Sequence, residues 1–420
     1  MKHIKGYKCI KCDTEFNLDD IEYVCRNCAG NLQILYNYQI IKESLKKSDL
    51  AENPDYSIWR YKNLLPVKDL SRKPDVQIGW TPLYKAERLG KKLGIKNLYI
   101  KDDGRNPSAS LKDRPGAVAV VRALERGEKV ITCASTGNAA SSLSCLTAAL
   151  GLKTIIFVPE TSPMAKIAQL LVFGATVIAV KGSYDEAFDL CIKATEKYGW
   201  YSRNSGYNSY TREGKKTCSY EICEQLGWEC PDKIFIPVGD GNLISGIWKG
   251  FVDLYEIGFI DRLPQLISCQ AENMDAINRA FESDGVIRPV KGKTIADSIS
   301  VSFPHDGDAA LKAIHDSRGF TVSVSDEQII QAIPELAREA SIFGEPSGVT
   351  PFAALHKAVS SKRIRDDEKI VILISGNGLK DINSAMKSVR RPLTMNPDMK
   401  ELEKIVSTGF IENKGNVNES

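Results

Sequence analysis

The sequence predicts an α/β fold: two domains built on parallel or mixed sheets, preceded by a small cysteine-rich module. Three observations predict it. Between residues 129 and 199, short apolar runs alternate with amphipathic stretches, three strand–helix units in about 70 residues. A Gly-rich turn, Gly239-Asp240-Gly241-Asn242-Leu243, stands between a strand and a helix. Four of the eleven cysteines fall as two Cys-x2-Cys pairs within the first 28 residues. At 420 residues the chain can bury a large core and is long enough for two or three domains.

The cysteine pairs come first. Cys9-x2-Cys12 and Cys25-x2-Cys28, with twelve residues between them, can close a tetrahedral Zn²⁺ site in a ribbon of residues 1–37. Four thiolates leave no open position, so such a metal is structural; the alternative is four reduced, unliganded cysteines. The other seven cysteines, Cys133 to Cys269, read as core or surface thiols. Without an export signal they are not a disulfide framework. From Tyr38 to Asp75 the chain is mixed and charged, and Pro54, Pro66 and Pro74 limit it to a connector with one or two short helices. Trp80 to Tyr84 then leads into an amphipathic helix ending at Gly94, followed by a strand over Asn97 to Lys101.

The regular block follows. Strands are expected at Lys129 to Cys133, Thr154 to Val158 and Thr176 to Val180. Helices are expected up to Leu150, from Pro163 to Phe173 and from Asp185 to Tyr198, each stopped by a glycine. Later strands are expected at Lys233 to Val238, Gln265 to Gln270 and Lys369 to Ile374. A short helix, Met399 to Val406, precedes a polar tail, Ile411 to Ser420, expected to be disordered. Net charge is only +3, which argues against nucleic acid or an anionic membrane as the main partner. No apolar run reaches signal-peptide or membrane-span length, so a cytoplasmic protein is expected.

Ligands of parallel α/β sheets sit beyond the carboxyl ends of the strands, and the candidate chemistry lies there. Lys112 follows the polar turn Asn106-Pro107-Ser108-Ala109-Ser110 and opens the buried-looking run Gly116 to Val121. A lysine desolvated at that point has a lowered pKa, suited to Schiff-base chemistry with an aldehyde; the plainer reading is a capping or solvated lysine. Gly239 to Leu243 can aim backbone N–H groups at a phosphate. A dinucleotide fingerprint fails there because Ile244 stands where the third Gly belongs. A P-loop ending at Gly214-Lys215 fails because Ser209 and Lys216 occupy its Gly and Ser/Thr positions. What remains is one compact phosphate cradle or an ordinary turn. Asp240, a carboxylate beside such a phosphate, should point away or cap the helix. Ser135-Thr136-Gly137-Asn138 also opens a helix, as an anion site or a plain N-cap.

In order and spacing, Ser110-Leu111-Lys112-Asp113-Arg114, Ser135 to Asn138 and the Gly239 turn resemble the threonine synthases. These are pyridoxal-phosphate enzymes of the tryptophan-synthase β-subunit fold type, and the likeness runs from about Trp80 to about Asp381. The resemblance implies a large domain of residues 38–112 and 205–395, a smaller mobile domain of 113–204 and a terminal segment of 396–420. It implies pyridoxal 5'-phosphate as cofactor, held by Lys112, Asn138, Gly239, Asp240, Gly241, Asn242, Leu243 and Ser375. Lys112 is then the catalytic base and Ser375 an uncharged partner of the ring nitrogen. Ser135, Thr136 and Gly137 bind the substrate carboxylate, and Ser205, Asn208, Arg212 and Lys215 its phosphate. Structural zinc in the ribbon, an amino-acid substrate and a homodimer complete the expectation.

Three departures fall on the substrate side. Ala139 stands where the family commonly has Thr, the segment before Arg212 is one residue longer, and Asn106 to Ser110 replaces the commoner Asn-Pro-Thr-Gly-Ser. The expected reaction is that of a carbon–oxygen lyase, making threonine from O-phosphohomoserine. The competing readings are β-elimination or β-replacement on a related amino acid, and a zinc-ribbon binding protein on a catalytically idle scaffold.

Overall fold

The computed structural model describes residues 1–18 and 23–407. The chain begins with an antiparallel sheet of β1 (Ile4–Cys9), β2 (Glu15–Phe16) and β3 (Leu32–Tyr36), in the order β2-β1-β3. Such a piece is too small for a core of its own. Its apolar residues Tyr7, Leu32 and Ile34 instead join the main hydrophobic cluster of the molecule. The free edge of β3 is covered by cations: Arg212 donates to the carbonyl of Leu32 at 3.0 Å and Lys249 to that of Ile34 at 2.5 Å. The connector holds helices Tyr38–Ser44 and Lys47–Ala51 and a 3-10 stretch, Ile58–Leu64, whose N-cap Ser57 accepts from the N–H of Trp59.

Two further sheets carry the rest. In chain order their strands are β4 (Leu83–Lys85), β5 (Asn97–Asp102), β6 (Val130–Ala134), β7 (Lys153–Pro159), β8 (Thr176–Val180), β9 (Tyr201–Ser202), β10 (Lys233–Pro237), β11 (Gln265–Ala271), β12 (Phe320–Val324) and β13 (Lys369–Ile374). Six of them form one sheet, β12-β11-β10-β13-β5-β4, parallel except for the edge strand β4. The other four form an all-parallel sheet, β8-β7-β6-β9. β10 and β13 are apolar almost throughout because helices cover both faces of the larger sheet. The smaller sheet's helix Tyr184–Tyr198 starts with a capping box, Ser183 with Glu186, and ends at Gly199 at φ 65.

Most expected elements appear within a residue or two. The helix expected to reach Leu150 ends at Ala148, where the chain turns toward Gly151 at φ 62. The lead-in at Trp80 to Tyr84 contributes an edge strand, β4, paired to β5. Strand β12 and the helices Gly307–Asp316, Asp326–Ala340 and Pro346–Ser360 lie where no element was anticipated. The terminal helix runs Met399–Ser407, and the tail Ile411 to Ser420 lies outside the described residues. Six of the seven remaining cysteines are buried, and Cys145 is partly so. No helix among the described residues is long and apolar enough to cross a membrane.

Candidate active site

The carboxyl ends of β13 and β5 are stitched together by the loop that carries Lys112. The N–H of Leu111 donates to Ser375 O at 2.8 Å, and the N–H of Asn377 to Ala109 O at 3.0 Å. Ala109 takes φ 61, a left-handed conformation that an alanine adopts at a cost. Lys112 is the N-cap of the helix Asp113–Glu125. That helix is anchored at its second residue, where Arg114, fully buried, pairs with Asp103 at 2.7 Å and Glu221 at 2.5 Å. Asp113 accepts from the N–H and hydroxyl of Ser108 at 2.7 and 2.6 Å.

Lys112 lines a cavity with Asn138, Ser205, Lys215, the turn Gly239 to Leu243, and Ser375. The enclosed part measures about 80 Å³. At Ser205 it adjoins a wider cleft of about 580 Å³ whose walls include Lys11, Asn31, Phe188 and His305. Burial lowers the Lys112 amine to a pKa of about 8; Arg203 pushes the same way, against Asp240 and Glu345. Lys215, also buried, donates to Asn242 Oδ1 at 2.5 Å, and burial, then Lys112 and Arg203, hold its amine well below the lysine range.

The Gly239 turn is packed so closely that glycine is required twice. A Cβ on Gly239 would lie 2.8 Å from Ile299 Cα. One on Gly241, at φ 93, would lie 2.5 Å from Asp306 O. Asp240 does not cap the helix Asn242–Glu256; its carboxylate accepts from the N–H of His305 at 2.7 Å. Burial, then the neighbouring Asp306, raise that carboxyl to about 6. Asp306 is the hub below the turn, accepting from Arg212 at 2.5 Å, Asn242 at 2.8 Å and Asn31 at 2.9 Å.

The cofactor-side expectations therefore converge on one cavity: Lys112, Asn138, Gly239 to Leu243 and Ser375 all line it. Asn138 donates there to Glu345 at 2.8 Å and Ser298 at 3.2 Å. The substrate side converges less. Ser205 and Lys215 line the cavity, whereas Ser135, Thr136 and Gly137 form the turn just before it. Asn208 is committed to the backbone, donating to Ser202 O at 2.7 Å and accepting from Tyr210 N at 2.9 Å. Arg212 is committed to Asp306 and the ribbon carbonyl of Leu32, which leaves neither residue free for a substrate. Four residues were not anticipated: Arg203, Ser298, Asp306 and Glu345. Only Arg203 had a sequence signal, a charge set between a buried strand and the Asn204-Ser205 pair.

The four ribbon cysteines bring their sulfurs within 4.8 Å of one another. Cys9 and Cys28 are 3.5 Å apart and Cys12 and Cys25 3.6 Å apart. A tetrahedron with Zn–S bonds of about 2.3 Å has edges of about 3.8 Å, so the cluster fits such an ion.

This cleft, at the strand ends of a two-sheet α/β fold, is that of a cofactor-dependent enzyme, and the chain belongs to the pyridoxal-phosphate dependent enzyme family, which matches residues 75–376. It is 40% identical over 402 residues to the threonine synthase of Methanocaldococcus jannaschii, covering 95% of this chain and 98% of that one. The threonine synthase of Halalkalibacterium halodurans is 37% identical over 341 residues, 79% of this chain and 93% of the relative. Among solved structures, threonine deaminase isoform 2 of Solanum lycopersicum aligns with a TM-score of 0.64 at 24% identity, over 74% of this chain and 87% of that chain. Diaminopropionate ammonia lyase from Escherichia coli gives 0.65 at 18% identity, over 80% and 93%. These two likenesses show the fold.

Proposed function

We propose that this chain is a threonine synthase, converting O-phospho-L-homoserine and water to L-threonine and phosphate with pyridoxal phosphate as cofactor. The observation that carries the reading is the setting of Lys112. Lys112 shares one cavity with a glycine cradle closed to any Cβ and with the polar side chains of Ser205 and Lys215. The residues fit the cofactor: a lysine of lowered pKa for the aldehyde, Gly239 to Leu243 for the phosphate, Asn138 for the ring hydroxyl and the neutral Ser375 for the ring nitrogen. When bound, pyridoxal phosphate supplies an aldehyde that links to amines and a ring that stores the electrons of a broken C–H bond.

The protein's own part follows from the geometry. With its amine free, Lys112 would remove the Cα proton; a pKa near 8 suits an amine that both takes and returns protons near neutrality. The same amine would take the Cβ proton as phosphate departs from Cγ and return a proton to Cγ, after which water adds at Cβ and the Cα proton is restored. Ser205 and Lys215 hold the departing phosphate. Closure of the smaller sheet's domain, residues 113–204, over the cleft would exclude other water. Zinc on Cys9, Cys12, Cys25 and Cys28 is structural, and we assign the enzyme to the cytoplasm as a homodimer acting on an amino acid.

A second reading has one observation in its favour. Arg212 is locked to Asp306, which removes one cation from the phosphate corner and suits β-elimination or β-replacement on an unphosphorylated amino acid. Assaying phosphate release from O-phosphohomoserine by the holoenzyme, with product analysis and Lys112→Ala as control, separates the two. Phosphate and threonine should appear together and vanish in the control. No phosphate, with conversion of serine or threonine instead, would replace the first reading by the second.

A further inference from the structure

Four arginines are buried among the described residues, and three have a carboxylate partner: Arg60 with Glu224, Arg114 with Asp103 and Glu221, Arg212 with Asp306. Arg203 has none. It is 0% exposed, its Nη1 donates to Ser205 Oγ at 3.2 Å and its Nη2 to the Lys112 carbonyl at 3.5 Å. Its Nε is buried without a hydrogen-bond partner. Cys133 is a polar neighbour, but burial pushes that thiol to about 12 and keeps it neutral. Asp113 attracts the guanidinium through space, yet its oxygens are taken by Ser108. An unpaired buried charge is costly and persists where something else requires it.

The position says what. Ser205 lines the cavity, and its oxygen already accepts from Arg203, so its own O–H is left to donate to whatever enters. Lys112 and Lys215 stand in the same corner. The expected phosphate ligand Arg212 is spent on Asp306, so the corner's surplus positive charge comes from Arg203 instead.

We infer that Arg203 is a positioning and specificity residue for the substrate's phosphate: it orients the Ser205 hydroxyl toward that group, and its charge is balanced only when the dianion is bound. The inference rests on the threonine synthase reading. It does not require Arg203 to touch the substrate.

The test compares holoenzyme with Arg203→Met and Arg203→Lys, reading inorganic phosphate affinity by calorimetry, KM and kcat for O-phosphohomoserine, and Tm. Loss of a charge-assisted interaction should weaken phosphate binding and raise KM by about 10- to 100-fold in Arg203→Met. Arg203→Lys should recover most of the phosphate affinity. Because the methionine removes an unpaired buried charge, Tm should hold or rise. A structural role alone predicts the opposite pattern: lower Tm with phosphate affinity unchanged, and that result overturns the inference. If the wild-type enzyme turns over O-phosphohomoserine while Arg203→Met binds phosphate as well as it does, only the inference falls. If the wild-type enzyme neither turns it over nor binds phosphate, the functional reading falls and takes the inference with it.

Discussion

Replacing Glu221 by Gln should destabilise the enzyme by a few kcal/mol, and by an amount that depends on pH. Glu221 is fully buried between Lys101 at 2.7 Å and Arg114 at 2.5 Å. Burial alone would push its carboxyl up, but Arg114 and Lys101 outweigh it and hold the pKa at about 2, against an ordinary 4.5. At about 1.4 kcal/mol per pH unit, that depression corresponds to about 3 kcal/mol of folding stability. Removing one partner of a buried pair costs about 3–5 kcal/mol, so two routes agree. With an unfolding entropy of about 2.1 cal/mol/K per residue, the loss is a Tm decrease of about 3–6 °C for a chain of this length. The sign follows from the depressed pKa. The contribution is complete above about pH 4.5 and fades as pH falls toward 2, so the gap between wild type and Glu221→Gln must narrow across that window. Scanning calorimetry at pH 7 and at pH 3.5 measures both gaps. Equal Tm values at pH 7, or a gap unchanged at pH 3.5, would refute the reasoning. The consequence reaches the site, because Arg114 is two residues from Lys112 and holds the helix that presents it.

Other outcomes follow from the same geometry. Gly241→Ala should weaken pyridoxal phosphate binding at least tenfold, measured by cofactor titration, because φ 93 and a contact of 2.5 Å with Asp306 O leave no room for a methyl. Ala109→Gly should raise stability by about 1 kcal/mol in a denaturant titration, since glycine takes the left-handed conformation without the alanine's strain. The rate at which cofactor-free enzyme captures pyridoxal phosphate should rise with pH through about 8 as the Lys112 amine loses its proton, and Arg203→Met should move that limb to higher pH by removing a nearby cation. If the four cysteines hold the proposed zinc, chelation or Cys12→Ser should lower Tm and raise KM together, because Asn31 donates to both His305 O at 2.7 Å and Asp306 at 2.9 Å. KM unchanged after verified metal loss would show that the ribbon and the phosphate turn are uncoupled.

What could be read from the residues was what local pattern encodes. The three strand–helix units between residues 130 and 198 were legible because each pairs a β-branched run with an amphipathic helix stopped by glycine. Lys112 was legible because a polar turn runs straight into a buried helix. Between residues 271 and 368 the pattern is blurred: Pro334 and Pro351 sit inside helices, and β12 is five residues of modest apolarity. Asp306 was beyond reach for a different reason. Its partners Asn31 and Arg212 are 275 and 94 residues away, and no spacing rule connects such distances. Arg212 matched a motif in sequence, yet Asp306 claims its guanidinium in space, while Arg203, in no motif, is the arginine left uncompensated.

The cations that cover the edge of β3 also set an order of events during synthesis. The ribbon is synthesised before the residues it docks on: Asn31 meets a residue 275 positions later and Leu32 one 180 positions later. At about 5–20 residues per second, roughly 10–45 s separate emergence of the β3 edge from that of Arg212 and Lys249, which cover it. For that interval the cysteines are accessible while the strand edge lies bare, so metal capture can precede docking and a chaperone has a defined segment to shield. A zinc ion on the four cysteines would therefore make biogenesis of this enzyme most sensitive to zinc supply in the minute after the ribbon is synthesised, before the catalytic cleft exists.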